Sequence, residues 1–199
     1  MTRAGKAGAV GAAVMLYVGT YCGTPEPEVG DGSDTSAQEV TPAPGEGAAA
    51  LNDAEIAAIV VAANSIDVRY GEIARERATD ERVRQFAEMM ITDHTAVNES
   101  AGALVARLGV TPQENDVSRS LESSAGETRA SLTAKTGAEF DRAYIANEVT
   151  YHQAVLDALD DLLIPNATNA ELRQTLVGVR PAFAAHLQRA QSLQQSLGT

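Results

Sequence analysis

The sequence predicts an all-α fold: a four-helix bundle with a long helical crossover between the second and third core helices. Three observations point there. No segment alternates with the period of two that a half-buried strand needs, while four segments carry apolar residues stepping by threes and fours. The composition is 44% hydrophobic but only 4% aromatic, with no Trp. Such an Ala-rich, aromatic-poor chain suits helices packed at close range and suits sheets badly.

Residues 51–199 are the expected bundle. The first helix opens at "NDAE", where Asn52 can cap and Glu55 can close a capping box, and runs to about Ala78 on a line of Ile56, Val60, Ala63, Tyr70 and Ala74. The second starts at "TDER" with Thr79 as cap, follows Val83, Phe86, Met90, Val97, Ala101, Leu104 and Leu108, and stops at Gly109. In "TPQE", Thr111 reads as a cap, Pro112 as a first helical residue and Glu114 as its third. The polar helix that follows has only Val117, Leu121 and Leu132 to bury, which places it outside the bundle as the crossover. A third core helix begins at "TGAE", with Thr136 and Glu139 as a capping box, and runs to about Leu163. "PNATNAE" then breaks the chain and recaps it at Thr168 or Asn169. The fourth core helix carries Leu172, Leu176, Val179, Phe183, Ala190, Leu193 and Leu197. Pro181 inside it reads as a helix boundary, or as a kink that opens room near His186.

The N-terminal quarter is different. Arg3 and Lys6 precede "AGAVGAAVMLYVG", an apolar run too short for the roughly 20 residues of a spanning helix and suited to an export signal. Cys22, the one cysteine, follows directly, where bacterial lipoproteins carry their lipid-modified cysteine, although Tyr21 stands where that pattern wants a small residue. Residues 1–22 are therefore expected to be a signal peptide of possible lipoprotein type. Residues 23–50 hold four Pro, five Gly and six acids without one basic residue, the composition of a disordered acidic linker. A net charge of −12 repels phosphate backbones, so nucleic acid is excluded as a partner. Membrane contact is expected only through an N-terminal anchor, and the sequence names no protein partner.

Each core helix interrupts its apolar line once. The interruptions are Asp67, His94, His152 and His186, so all three histidines of the chain face the predicted interior. At about 1.5 Å of rise per residue, counting from the turns puts the four at one level to within a turn or so. Three imidazoles and a carboxylate suit Zn, Cu or Fe better than Ca or Mg. Glu148, one turn before His152, is a fifth ligand or an orienting group, and Asp93 can orient a neighbouring imidazole. Because histidine binds metal when neutral, affinity is expected to fall below about pH 6. A di-iron site would want Glu-x-x-His on two helices and two further Glu, and the chain lacks that pattern. The alternative is a hydrogen-bonded Asp/His layer that only fixes helix register. Tyr70, Tyr144 and Tyr151 read as core or boundary residues with wet hydroxyls, and Met89 and Met90 as packing.

Four blocks carry a resemblance. "VRQFAEMMITDHTAVN", "GAEFDRAYIANEVTYHQAVL" and "VRPAFAAHLQRAQSL" resemble the signature blocks of the bacterial DUF4142 family, and "NSIDVRYGEIARERA" resembles its first helix, where the family usually has Glu in place of Asp67. The match covers about 51–196. It implies a ferritin-like helical fold and export to the periplasm or cell envelope, in a family often labelled predicted outer-membrane protein, and it implies no reaction. The positions it carries over are Asp67, Asp93, His94, Asp141, Glu148, His152 and His186. No phosphate loop, nucleophile elbow or CxxC occurs. Three function classes stay open: metal binding or metal-dependent redox chemistry, a structural or stress-related envelope domain, and a module that binds an envelope partner.

Overall fold

The computed structural model describes residues 50–198, and every regular element among them is helical. The expected signal peptide, Cys22 and nearly all of the linker lie outside the described residues. Helix α1 (Asp53–Arg77) starts with the expected capping box: Asn52 accepts from the Ala54 and Glu55 N–H groups, and Glu55 accepts from the Asn52 N–H. Helix α2 (Glu81–Leu108) ends at Gly109, whose φ of 66° is the left-handed conformation that closes a helix without a Cβ clash. Gly71 lets α1 and α2 approach closely, since a Cβ there would stand 2.9 Å from Ile91 Cγ1 and 3.0 Å from the Ala87 carbonyl.

Three helix starts differ from expectation, each for a tertiary reason. Thr79 does not cap α2. Asp80 does, and the Thr79 N–H and hydroxyl both turn to Asp141 on a different helix. The crossover α3 (Asp116–Thr133) begins four residues later than "TPQE" suggests, on a capping box of Asn115 and Ser118. The residues before it tie back to α1, with Gln113 N–H on the Ala54 carbonyl (3.0 Å) and Asn115 Nδ2 on the Glu55 carbonyl (3.2 Å). Helix α4 (Gly137–Ala158) has Thr136 at the cap position, but its hydroxyl makes no cap bond and Glu139 pairs with Lys135 instead.

Helix α4 also runs further than expected. It passes through one π turn (Leu159–Leu163) into a short α5 (Ile164–Asn166). The Ile164 N–H reaches the Leu159 carbonyl, and Pro165, which has no N–H to give, follows without leaving a donor unmet. Asn169 caps α6 (Ala170–Ser196), accepting from Glu171 and Leu172. Pro181 is neither a boundary nor a break: α6 continues through it. Both Pro181 and Val177, the residue whose carbonyl loses its partner, face solvent, so water can take the missing bond.

α1 pairs with α2, and α4 pairs with α6, as two helical hairpins; α3 packs on α1 and α4 from outside. Two apolar clusters fill the interior. One gathers Ile66, Phe86, Met90, Phe140, Tyr144 and Ile145; the other gathers Ile56, Ile59, Leu156, Leu163, Leu176 and Phe183. The chain positions between them are polar and are taken up below. Among the described residues no helix is long and apolar enough to cross a membrane.

A reciprocal pair of carboxylates sets the hairpins against each other. Asp141, in the first turns of α4, accepts from Thr79 and from the Asp80 N–H at the α1–α2 turn. Asp53, the first residue of α1, accepts from Thr168 and from the Asn169 N–H just before α6. Asp141 is only 2% exposed, so its oxygens depend on these donors. Replacing Asp141 with Ala is expected to cost about 3 kcal/mol through three lost charge-assisted bonds and the donors left behind. Urea denaturation of Asp141→Ala beside wild type checks this; a midpoint unchanged within error contradicts it.

Candidate metal centre

The five residues that the sequence names as ligands are all buried, and they fall into two triads that share His152. Asp67 and Glu148 are 0% exposed, His152 1%, His94 3% and His186 4%. The imidazoles form a near-equilateral triangle, with ring centroids 5.5 Å (His94–His152), 5.3 Å (His94–His186) and 5.4 Å (His152–His186) apart. Asp67 Oδ2 lies 3.2 Å from His94 Nε2 and 3.5 Å from His152 Nε2. Glu148 Oε2 lies 3.5 Å from His152 Nδ1. Two triads, His94–His152–His186 and Asp67–Glu148–His152, each offer ligand atoms within 4.8 Å of one another.

The outer nitrogen of each ring is already committed. Asn64 donates to the Val60 carbonyl (2.7 Å), which turns its Oδ1 toward His94 Nδ1 at 2.7 Å. His152 Nδ1 meets the Glu148 backbone carbonyl at 3.0 Å, and His186 Nε2 meets Asp93 Oδ2 at 2.9 Å. Facing an oxygen acceptor, each of these nitrogens must be the one that carries the proton in a neutral ring. The lone pairs left over are His94 Nε2, His152 Nε2 and His186 Nδ1, and all three are buried without a hydrogen-bond partner among the described residues. Both oxygens of Asp67 and both of Glu148 are buried as well, and the two carboxyls are close enough to share a proton with each other. The 3.2 Å approach of Asp67 to His94 is a close contact outside hydrogen-bond geometry.

Ligands about 2.0–2.1 Å from a tetrahedral metal stand about 3.3 Å from one another. The contacts of Asp67 with His94 and His152, at 3.2 and 3.5 Å, have that spacing. Asp93 on His186 is the carboxylate–imidazole pairing that orients a metal ligand. Phe183 stacks on His94 at 5.0 Å with the planes 10° apart, walling the layer on its apolar side. The donor set therefore fits a divalent transition metal.

Asn64 and Phe183 are the parts of this layer that the sequence pattern did not single out as site residues. Asn64 lies three residues before Asp67 on the same helix face, and that spacing was the available signal. Asp141, by contrast, stays at the α2 terminus and takes no part. The tyrosines also differ from expectation. The Tyr144 hydroxyl is fully buried with no partner among the described residues, and Tyr151 donates to the Ala63 carbonyl at 2.9 Å.

Burial pushes the Asp67 carboxyl up to about 8 and, helped by the Asp67 charge, holds Glu148 well above the usual carboxylate range. Burial, helped by the other imidazoles, pulls His94 down to about 2 and His152 down to about 4. Burial thus moves the protons of the metal-free layer from the imidazoles to the carboxyls.

The same shifts set the stability of the metal-free protein. Between the ordinary carboxyl values of 3.8 for Asp and 4.5 for Glu and the ordinary imidazole value of 6.5, the unfolded chain holds protons on His94 and His152 and the native chain holds them on Asp67 and Glu148, so the effects offset. Above 6.5 the unfolded chain loses its imidazole protons while native Asp67 keeps its own up to about 8. Stability then falls as pH rises. In chelator, the melting temperature is expected to drop between pH 6.5 and 8, and Asp67→Asn should reduce that drop without abolishing it, because Glu148 keeps its proton. A melting temperature that climbs over this interval contradicts the assignment.

The sequence profile described as a domain of unknown function, DUF4142, matches residues 38–193. Among solved structures, a crystal structure of a DUF305 protein from Streptomyces coelicolor, provisionally described as secreted, is similar in fold. It superposes with a TM-score of 0.63 at 14% identity, covering 74% of this chain and 94% of that one. A search of curated proteins found no relative of significant similarity. With that profile spanning most of the chain and the helical bundle it implies in place, the protein belongs to the DUF4142 family.

Proposed function

We propose that this is an exported cell-envelope protein whose bundle interior binds one divalent transition metal, Zn, Cu or Fe. His94 and His152 bind through Nε2, His186 through Nδ1 and Asp67 through Oδ2, with Glu148 as a fifth ligand or as acceptor for a bound water. One observation carries the reading. One nitrogen of each of three imidazoles faces the other rings and two carboxyls in a buried layer, with no hydrogen-bond partner among the described residues. Unpaired buried acceptors are costly, and one bound cation would satisfy imidazole lone pairs and carboxylates together. Export is supported by Arg3, Lys6 and the short apolar run before Cys22. Anchoring through Cys22 is part of the same proposal.

A second reading is favoured by the high Asp67 value. A carboxyl that keeps its proton can donate to His94 at 3.2 Å after a small rotation, giving an uncharged structural layer with no metal.

Titration of Zn(II) or Co(II) into purified, tag-free protein separates the two. The metal reading expects one equivalent bound and a raised melting temperature in wild type, and a loss of affinity of about 100-fold or more in His152→Ala. The structural reading expects weak, equal uptake by both, with His94→Leu and His186→Leu tolerated or stabilising. For localisation, fractionation should recover a processed chain outside the cytosol, and an unprocessed cytosolic chain is the contrary result.

A further inference from the structure

The two hairpins meet along two seams, α1 against α4 and α2 against α6. The crossover α3 packs on α1 and α4, so it roofs the first seam. Arg69 fastens it there through Glu122 (2.7 Å), and Arg77 holds its far end through the Thr133 and Lys135 carbonyls. α3 makes no comparable packing on α2 and α6, which meet as sparsely as α1 and α4 do. The second seam is thus the unroofed wall of the site.

The polar layer reaches water on that same side. The outer partners of His94 and His152 are buried: Asn64 is 3% exposed, and the Glu148 carbonyl lies inside the bundle. The outer partner of His186 is different. Asp93, on α2, holds the α6 imidazole across the second seam while its own side chain is 46% exposed. Beneath it, His186 Nδ1 is buried, unpartnered and aimed at the other two imidazoles.

We propose that cations enter and leave through the α2–α6 seam, with Asp93 as the positioning carboxylate at the port. It draws a hydrated divalent cation to the seam and, by holding Nε2–H, keeps Nδ1 of His186 facing inward as the first ligand met. The bound metal is then exchangeable rather than locked in. This rests on the metal reading above. Anions are disfavoured at such a port by the net charge of −12.

Stopped-flow uptake of Co(II), followed by its visible absorption, tests the port. Asp93→Asn keeps an acceptor for His186 but removes the charge, and is expected to lower the association rate about ten-fold and to weaken its dependence on salt. Asp93→Glu should restore most of the rate. Glu127→Gln makes the same charge change on α3, over the roofed seam, and should leave the rate within about two-fold. Melting curves in chelator confirm that each variant is folded. An unchanged association rate in Asp93→Asn, with only faster dissociation, would show that Asp93 tunes a ligand and would overturn the port. Equal slowing by Glu127→Gln would do the same, because the general field would then explain the effect. If wild type takes up no cation, the metal reading and the port fail together; if it does and the rates do not move, only the port fails.

Discussion

Three imidazole lone pairs and two carboxyls lie in a layer almost closed to water, and they can all stay unprotonated only if a cation sits among them. That constraint organises the interior of this bundle. On either side of the layer the core is ordinary, with aliphatic side chains and a few aromatics closing on each other. Within it, every imidazole is turned by an outer hydrogen bond so that its lone pair faces in. Two carboxyls lie among those lone pairs, pushed toward their neutral forms by burial. Such an arrangement relaxes in two ways, by taking up a cation or by keeping protons, and the pH behaviour of the protein follows from the competition between them.

The layer also needs the four helices at one height, and the reciprocal carboxylates supply that. Asp53 and Asp141 each sit near the start of one hairpin and hold the turn of the other. Sliding the hairpins along their axes would break both sets of bonds at once. Side chains from α1, α2, α4 and α6 can therefore converge although the contact between hairpins is much sparser than that within them. The site residues themselves contribute little to this alignment, which is maintained from the bundle ends.

The helical class and the inward-facing histidines were legible because they rest on periodicity, which burial enforces directly. A residue on a bundle stripe has nowhere to point except inside, and histidine is rare enough in this chain for three such placements to stand out. Helix starts were less legible. Thr79, Thr111 and Thr136 are all sound local caps, but Asp141 claims the first, the second lies in a segment tied to α1, and Lys135 draws Glu139 away from the third. Local propensity sees the side chain and its neighbours, not a partner 62 residues away. Pro181 misled for a related reason, since its cost depends on whether the freed carbonyl faces core or water. Asn64 was passed over although it shares a helix face with Asp67, because an amide shows its role only once its partner is known.

The π turn at Leu159–Leu163 divides one long helix into two parts that are aimed separately. Upstream, the rotation is dictated by Glu148 and His152. Downstream, Leu163 and Ala167 must face the apolar cluster at the hairpin end. A regular α-helix would couple these demands rigidly. One extra residue in a single turn offsets the phase by about 100° and works like a vernier between them. Asp160, within the turn, clamps to Arg180 of α6 at 2.6–2.7 Å and holds that setting. Changes in length near the hairpin end can thus be taken up at this turn, leaving the face that carries Glu148 and His152 undisturbed.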